Sequence, residues 1–126
     1  MSWQAYVDTN LVGSGKLSRA AILGLGGGIW ATSPGYTLSN EEQKAILASY
    51  KDLTHTQANG LRLAGEKFFT LRADNRSIYL KKGGDGAVLV KTSKAILIAE
   101  YTAPIQAAEA TQVVESLADY LISVKY

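Results

Sequence analysis

The apolar positions of this 126-residue chain fall on helical spacing at its two ends and on strand spacing between them. At about 100° per residue, Trp3, Tyr6 and Asn10 lie on one side of a short helix over residues 3–11, with Val7 and Leu11 beside them. Ser2 is placed to cap that helix, and Gly13-Ser14-Gly15 to stop it. Residues 17–23 read as a strand, Gly24 to Gly28 as a turn, and Ile29-Trp30-Ala31 as the start of a second strand closed by Pro34-Gly35. Ser39 and Glu42 stand at capping-box spacing, which predicts a helix running to about Tyr50. His55 falls in a polar stretch read as loop or a short helical turn.

From residue 60 onward the pattern becomes short strands and tight turns. Segments 60–64, 67–73, 77–81, 86–92 and 94–101 are separated by Gly65, Asp74-Asn75-Arg76, Lys82-Gly83-Gly84-Asp85 and Ser93. Connections this short permit only antiparallel neighbours, because a parallel crossover needs about a dozen residues. A last helix over 105–124 carries a broad apolar stripe of Ala110, Val113, Val114, Leu117, Ala118 and Leu121. The order of elements predicts an α+β fold: a central antiparallel sheet, helices at both ends, and a smaller helix in the first half. No linker, repeat or low-complexity segment interrupts it, so residues 1–126 are read as one domain.

Composition excludes several chemistries. With no cysteine, there is no disulfide scaffold, thiolate metal site or cysteine nucleophile. One histidine cannot build a His-rich zinc site, and any Ser-His-Asp triad would depend on His55. A net charge of +2 is far from that of a protein coating nucleic acid, and no nucleic-acid partner is expected. The longest apolar runs, such as Ala95 to Ala99, fall well short of the roughly 20 residues that span a bilayer. No secretory signal is apparent at the N-terminus, and the expected compartment is the cytosol.

Two glycine-rich stretches fail as nucleotide motifs. In Gly24-Leu25-Gly26-Gly27-Gly28-Ile29 the third fingerprint glycine is replaced by Ile29, and no helix follows. In Gly13-Ser14-Gly15-Lys16 the first phosphate-loop glycine is Asn10, and Leu17 stands where Ser or Thr is required. Glu41 and Glu42 suit a helix N-terminus, and Glu109, Glu115 and Asp119 spread over the polar side of the last helix. No acid–base constellation, metal site or cofactor site emerges, and an enzyme is not expected.

Two features remain. Terminal helices packed side by side would bring Trp3, Tyr6, Trp30, Tyr120 and Tyr126 into one neighbourhood. Such rings can form a groove for a polyproline II segment, whose carbonyls accept hydrogen bonds from Trp N–H and Tyr O–H. They can equally join two helices. The second feature is a basic cluster of Arg72, Arg76, Lys81 and Lys82, with Lys91 and Lys94. It fits a partner or anion surface, and it fits edge-strand protection by charge.

Four segments carry a family resemblance: Met-Ser-Trp3-Gln4-Ala5-Tyr6, Ile29-Trp30-Ala31-Thr32-Ser33, Leu71-Arg72-Ala73-Asp74-Asn75-Arg76-Ser77-Ile78-Tyr79, and Val114-Glu115-Ser116-Leu117-Ala118-Asp119-Tyr120-Leu121. In order and along the whole chain they resemble profilins, most closely those of fungi. The resemblance implies an antiparallel sheet with the N- and C-terminal helices on one face and smaller helices on the other. It implies a cytoplasmic monomer of the actin cytoskeleton that binds monomeric actin, promotes exchange of its nucleotide, and binds poly-L-proline segments such as those of formins. Phosphoinositide binding is also implied.

By the same resemblance, the proline-binding residues are Trp3, Tyr6, Trp30, Tyr120, Leu121 and Tyr126. The actin-binding residues are Arg72, Arg76, Lys81, Ala108, Thr111 and Glu115, and the phosphoinositide residues are Arg72, Arg76, Lys81 and Lys82. On the helical wheel Thr111 and Glu115 flank one side of the apolar stripe and Tyr120 the other, so one helix can serve two surfaces. Many relatives carry Gly where Ala108 stands, which keeps open an adaptor that binds proline-rich partners but not actin. A small α+β enzyme or ligand sensor is the remaining alternative.

Overall fold

A computed structural model describes residues 2–126. The N-terminal run begins as α1 (Trp3–Ala5), widens into a π-helical turn (Tyr6–Leu11) and tightens into a 3₁₀ turn (Val12–Ser14). Ser2 caps it by accepting from the Ala5 N–H. The run is longer than the sequence pattern indicates. Gly13 does not stop it, because it lets the chain pass so close to the Asp8 carbonyl that a Cβ would lie 2.7 Å from that oxygen. The stop is Gly15, in the left-handed region at φ +78°.

The strands are β1 (Arg19–Gly24), β2 (Ile29–Thr32), β3 (Leu61–Leu63), β4 (Glu66–Ala73), β5 (Ser77–Lys82), β6 (Asp85–Lys91) and β7 (Ala95–Tyr101). They form one antiparallel sheet in the order β2-β1-β7-β6-β5-β4-β3. Between β2 and β3 lie α2 (Asn40–Ser49) and α3 (Leu53–Asn59), and α4 (Ala107–Ser123) follows β7. The Ser39–Glu42 capping box forms as its spacing predicts. His55 is exposed on α3.

At its centre the sheet is covered on both faces, and β7 shows how. Leu97 and Ala99 point into a cluster with Val7, Leu11, Val114, Leu117 and Leu121. Ile96 and Ile98 point into the opposite cluster, with Ile46 of α2, Leu63, Phe68, Ile78 and Leu89. A strand buried on both sides reads as the continuous apolar run Ala95-Ile96-Leu97-Ile98-Ala99. The architecture is the α+β arrangement anticipated, with the terminal helices on one face and the smaller helices on the other.

Candidate functional site

Packing the N-terminal run beside the end of α4 brings five aromatic rings together. Trp3 lies at the centre, with ring centroids 4.7 Å from Trp30, 5.5 Å from Tyr6 and 5.2 Å from Tyr126. Tyr6 in turn stands 6.3 Å from Tyr120. The strip therefore runs from Trp30 through Trp3 and Tyr6 to Tyr120, with Tyr126 on its flank. Trp30, Tyr120 and Tyr126 are 38%, 51% and 42% exposed, whereas Tyr6 is buried at 9%. An apolar surface this open and continuous is unusual unless something covers it.

Local structure sets each ring. The Gln4 amide donates to the Thr32 carbonyl at 2.8 Å, tying α1 to the strand that carries Trp30. After α4, the Lys125 N–H donates to the Ile122 carbonyl at 3.0 Å and the Tyr126 N–H to the Leu121 carbonyl at 2.8 Å. With Lys125 at φ +72°, this is a Schellman turn, and it folds Tyr126 back toward Trp3. Leu121 is not part of the surface: it is 1% exposed and belongs to the core beneath Tyr6. Its place on the apolar stripe buries it, so its part is to support the strip.

Sequence reasoning missed Gly24. A Cβ on this residue would lie 2.5 Å from the Trp30 indole nitrogen and 2.8 Å from the adjoining ring carbon. The missing side chain is what lets the indole lie across β1. The pattern allowed Gly24 to be read only as turn.

The other flank of α4 faces β5, with β4 beyond it in the sheet. Arg72 is directly opposite Tyr79, and Phe69 is opposite Lys81, so all four share the α4 side of the sheet. A bulge between Thr70 and Arg72 makes room for Leu71. Phe69 and Leu71 are 68% and 60% exposed, and the Arg72 and Lys81 side chains are open to solvent. Neither Phe69 nor Leu71 was singled out from the sequence, where both read as ordinary strand residues.

Arg76 and Glu115 are engaged with each other. The Arg76 guanidinium donates to Asp119 at 2.7 Å, and its Nε lies 3.4 Å from the Glu115 carboxylate. Asp119 is the main cause of an upward shift in the Arg76 pKa. The Glu115 carboxylate also accepts from the Ser77 hydroxyl at 2.9 Å and the Tyr79 hydroxyl at 3.1 Å. Asp74 closes the turn by accepting from the N–H groups of Ser77 and Arg76, and these bonds hold its carboxyl below the usual range. Glu115→Ala is expected to cost about 1–3 kcal/mol, because it strands the buried Ser77 hydroxyl and the Tyr79 hydroxyl; urea unfolding would measure this.

Ala108 is exposed in the first turn of α4, and Thr111 is half-buried one turn before Glu115. Lys82 departs from expectation. It lies within β5 rather than in a turn, so strand alternation sends it to the face opposite Lys81. There it pairs with Glu66 at 2.6 Å, and Glu66 also holds Arg19 at 3.0 Å. The basic patch on the α4 side is thus Arg72 and Lys81, with Arg76 tied down beside them. Among the described residues, no group of three His, Cys, Asp or Glu side chains could hold a metal.

A family model described as Profilin matches residues 1–126. The chain is 54% identical to profilin-2 of Acanthamoeba castellanii over 122 residues, covering 97% of each chain. The structure of Schizosaccharomyces pombe profilin superposes with a TM-score of 0.96 at 44% identity, covering 99% of this chain and all of that one. Mouse profilin IIa, solved in complex with a double repeat from the FH1 domain of mDia1, shares the fold with a TM-score of 0.83 at 23% identity, covering 100% of each chain.

Proposed function

The chain belongs to the profilin family, and on that premise we propose that it binds monomeric actin on one flank of α4 and proline-rich segments on the other. The observation that carries this reading is the separation of the two surfaces. Glu115 and Arg76 lie toward β5 on one side of the helix, and Tyr120 joins the aromatic strip on the other. One partner on each flank leaves the other accessible.

The actin surface comprises Arg72 and Lys81 around Phe69 and Leu71, bordered by Thr111, Glu115 and Arg76, with Ala108 at the start of the helix. Apolar side chains ringed by cations make a contact that buries area and fixes register. An actin conformation with an open nucleotide cleft, if it binds this surface more tightly, is populated by the binding itself, and exchange accelerates. The strip of Trp3, Tyr6, Trp30, Tyr120 and Tyr126 takes polyproline II ligands at low ordering cost. The FH1 repeat held by mouse profilin IIa makes formins candidate carriers of that ligand. A phosphoinositide headgroup would meet Arg72 and Lys81, in competition with actin and without Lys82. The protein acts as a monomer in the cytoplasm, at the actin cytoskeleton, and catalyses no reaction.

Two assays test this. Assembly of pyrene-labelled actin should slow as the protein is added, and tryptophan fluorescence should change saturably with a proline peptide of about ten residues, roughly three polyproline turns. Proline binding without any effect on actin would leave the adaptor reading, with Ala108 as its first suspect. No response to either ligand from a folded sample would overturn the proposal. In the same titration, Gly24→Ala is expected to weaken proline binding about tenfold by displacing the Trp30 indole, from an overpacking strain of about 1–3 kcal/mol. In a Trp30→Ala background the same change should have no further effect.

A further inference from the structure

The charge around the aromatic strip is not even. Toward the Tyr120 end, Glu109 is paired with Lys16 at 3.0 Å, and Asp119, next to Tyr120 in sequence, is held by Arg76 at 2.7 Å toward the opposite flank. At the Trp30 and Tyr126 end the lysines are not paired in this way. The Lys94 ammonium stands 5.2 Å from the Tyr126 ring centroid. Its backbone ties it there from two sides: the Lys94 N–H donates to the Tyr126 main-chain oxygen at 2.5 Å, and its carbonyl accepts from the Leu25 N–H at 3.0 Å, in the turn that leads to Trp30. Among the described residues, Lys94 and its exposed neighbour Lys125 form no salt bridge. Lys94 therefore holds over the edge of the strip a cation engaged in no salt bridge, and together with Lys125 it outnumbers the single negative charge of the Tyr126 main-chain carboxylate beside it.

We propose that Lys94 reads an acidic residue flanking the proline tract, so that the strip selects proline-rich segments carrying Asp or Glu beside the prolines. This rests on the strip being the proline-binding surface and specifies which proline-rich ligands it prefers. Proline rings and aromatic faces are uncharged, so the strip alone cannot distinguish tracts by their flanks. A carboxylate just beyond Tyr126 meets the ammonium already placed there. The pair is exposed, so the preference is modest, about two- to fivefold, and falls with salt as the screening length shrinks to about 10 Å at 0.1 M.

The test compares decaproline peptides flanked by two Glu at the N-terminal end, two Glu at the C-terminal end, or two Ser. Each is titrated against the full chain at low and high salt. At least one Glu-flanked peptide should bind two- to fivefold tighter than the Ser-flanked one at low salt. In Lys94→Gln that ratio should fall to about one, and in Lys94→Glu below one, whereas Lys51→Gln, equal in charge change but placed after α2, should keep it. A ratio of one in the unaltered protein, or a ratio that survives in Lys94→Gln, overturns the proposal and leaves the strip assignment intact. Failure of even the Ser-flanked peptide to bind would overturn the strip assignment, and this proposal with it.

Discussion

Arg72→Glu is expected to abolish detectable binding of monomeric actin and leave proline binding and stability unchanged. Arg72 is exposed, faces the α4 side opposite Tyr79, and sits beside the open Phe69 and Leu71 side chains. No salt bridge holds it among the described residues, and its one favourable charge contact, with Asp74, is minor beside the backbone bonds that already hold that carboxylate, so its reversal disturbs little inside the protein. Surface changes of this kind usually alter stability by no more than about 0.5 kcal/mol. Opposite a matched anionic group, charge reversal at an interface costs about 2–5 kcal/mol, or roughly 30- to several-thousand-fold in affinity. Lys81→Glu should act alike, because it lies on the same face opposite Phe69. Arg76→Glu is the instructive contrast. It would set a new carboxylate against Glu115 and Asp119, and urea unfolding should report lost stability as well as lost binding. If Arg72→Glu and Lys81→Glu sequestered actin as well as the parent chain, the actin surface would lie elsewhere.

What was legible in the sequence divides along physical lines. The meander from residue 60 onward was readable because its connections are too short for anything but antiparallel pairing, and the observed register follows. The capping box at Ser39 and Glu42 was readable because it is chemistry at fixed spacing. The meeting of the five aromatic rings was also foreseeable, since terminal helices on one sheet face leave them few other places. Features that depend on which way a single side chain points were not. Lys81 and Lys82 are adjacent in sequence yet lie on opposite faces, because the strand continues through both where a turn was expected. Leu121 sits next to Tyr120 in sequence but points into the core. Gly24 shows its role only once the Trp30 ring lies across it. The exposure of Phe69 and Leu71 reflects a bulge and an uncovered stretch of sheet, neither of which leaves a mark in local periodicity.

Tyr120→Ala and Trp30→Ala are the changes that separate a ligand groove from a helix joint. If the rings serve only to join the terminal helices, their energy lies in contacts between protein elements, and truncation must lower stability. Tyr120 is 51% exposed and Trp30 38%, so much of each ring faces solvent instead. Tyr120→Ala should cost no more than about 1 kcal/mol of stability, the worth of one aromatic pair. Truncating an aromatic anchor at a binding surface typically costs about 2–4 kcal/mol, so affinity for a proline peptide should fall by roughly 30- to 1,000-fold. Tyr120→Ala retains both tryptophans, and Trp30→Ala retains Trp3, so fluorescence remains a reporter in each. Tyr6→Ala is a poorer test, because Tyr6 is 9% exposed and belongs to the same core as Leu11 and Leu117, and its loss would combine unfolding with lost binding. Actin assembly should be inhibited as before in both Tyr120→Ala and Trp30→Ala, since the opposite flank of α4 is untouched. Unchanged proline affinity in these two variants, with lowered melting temperatures, would make the rings a joint and remove the proline-binding half of the proposed function.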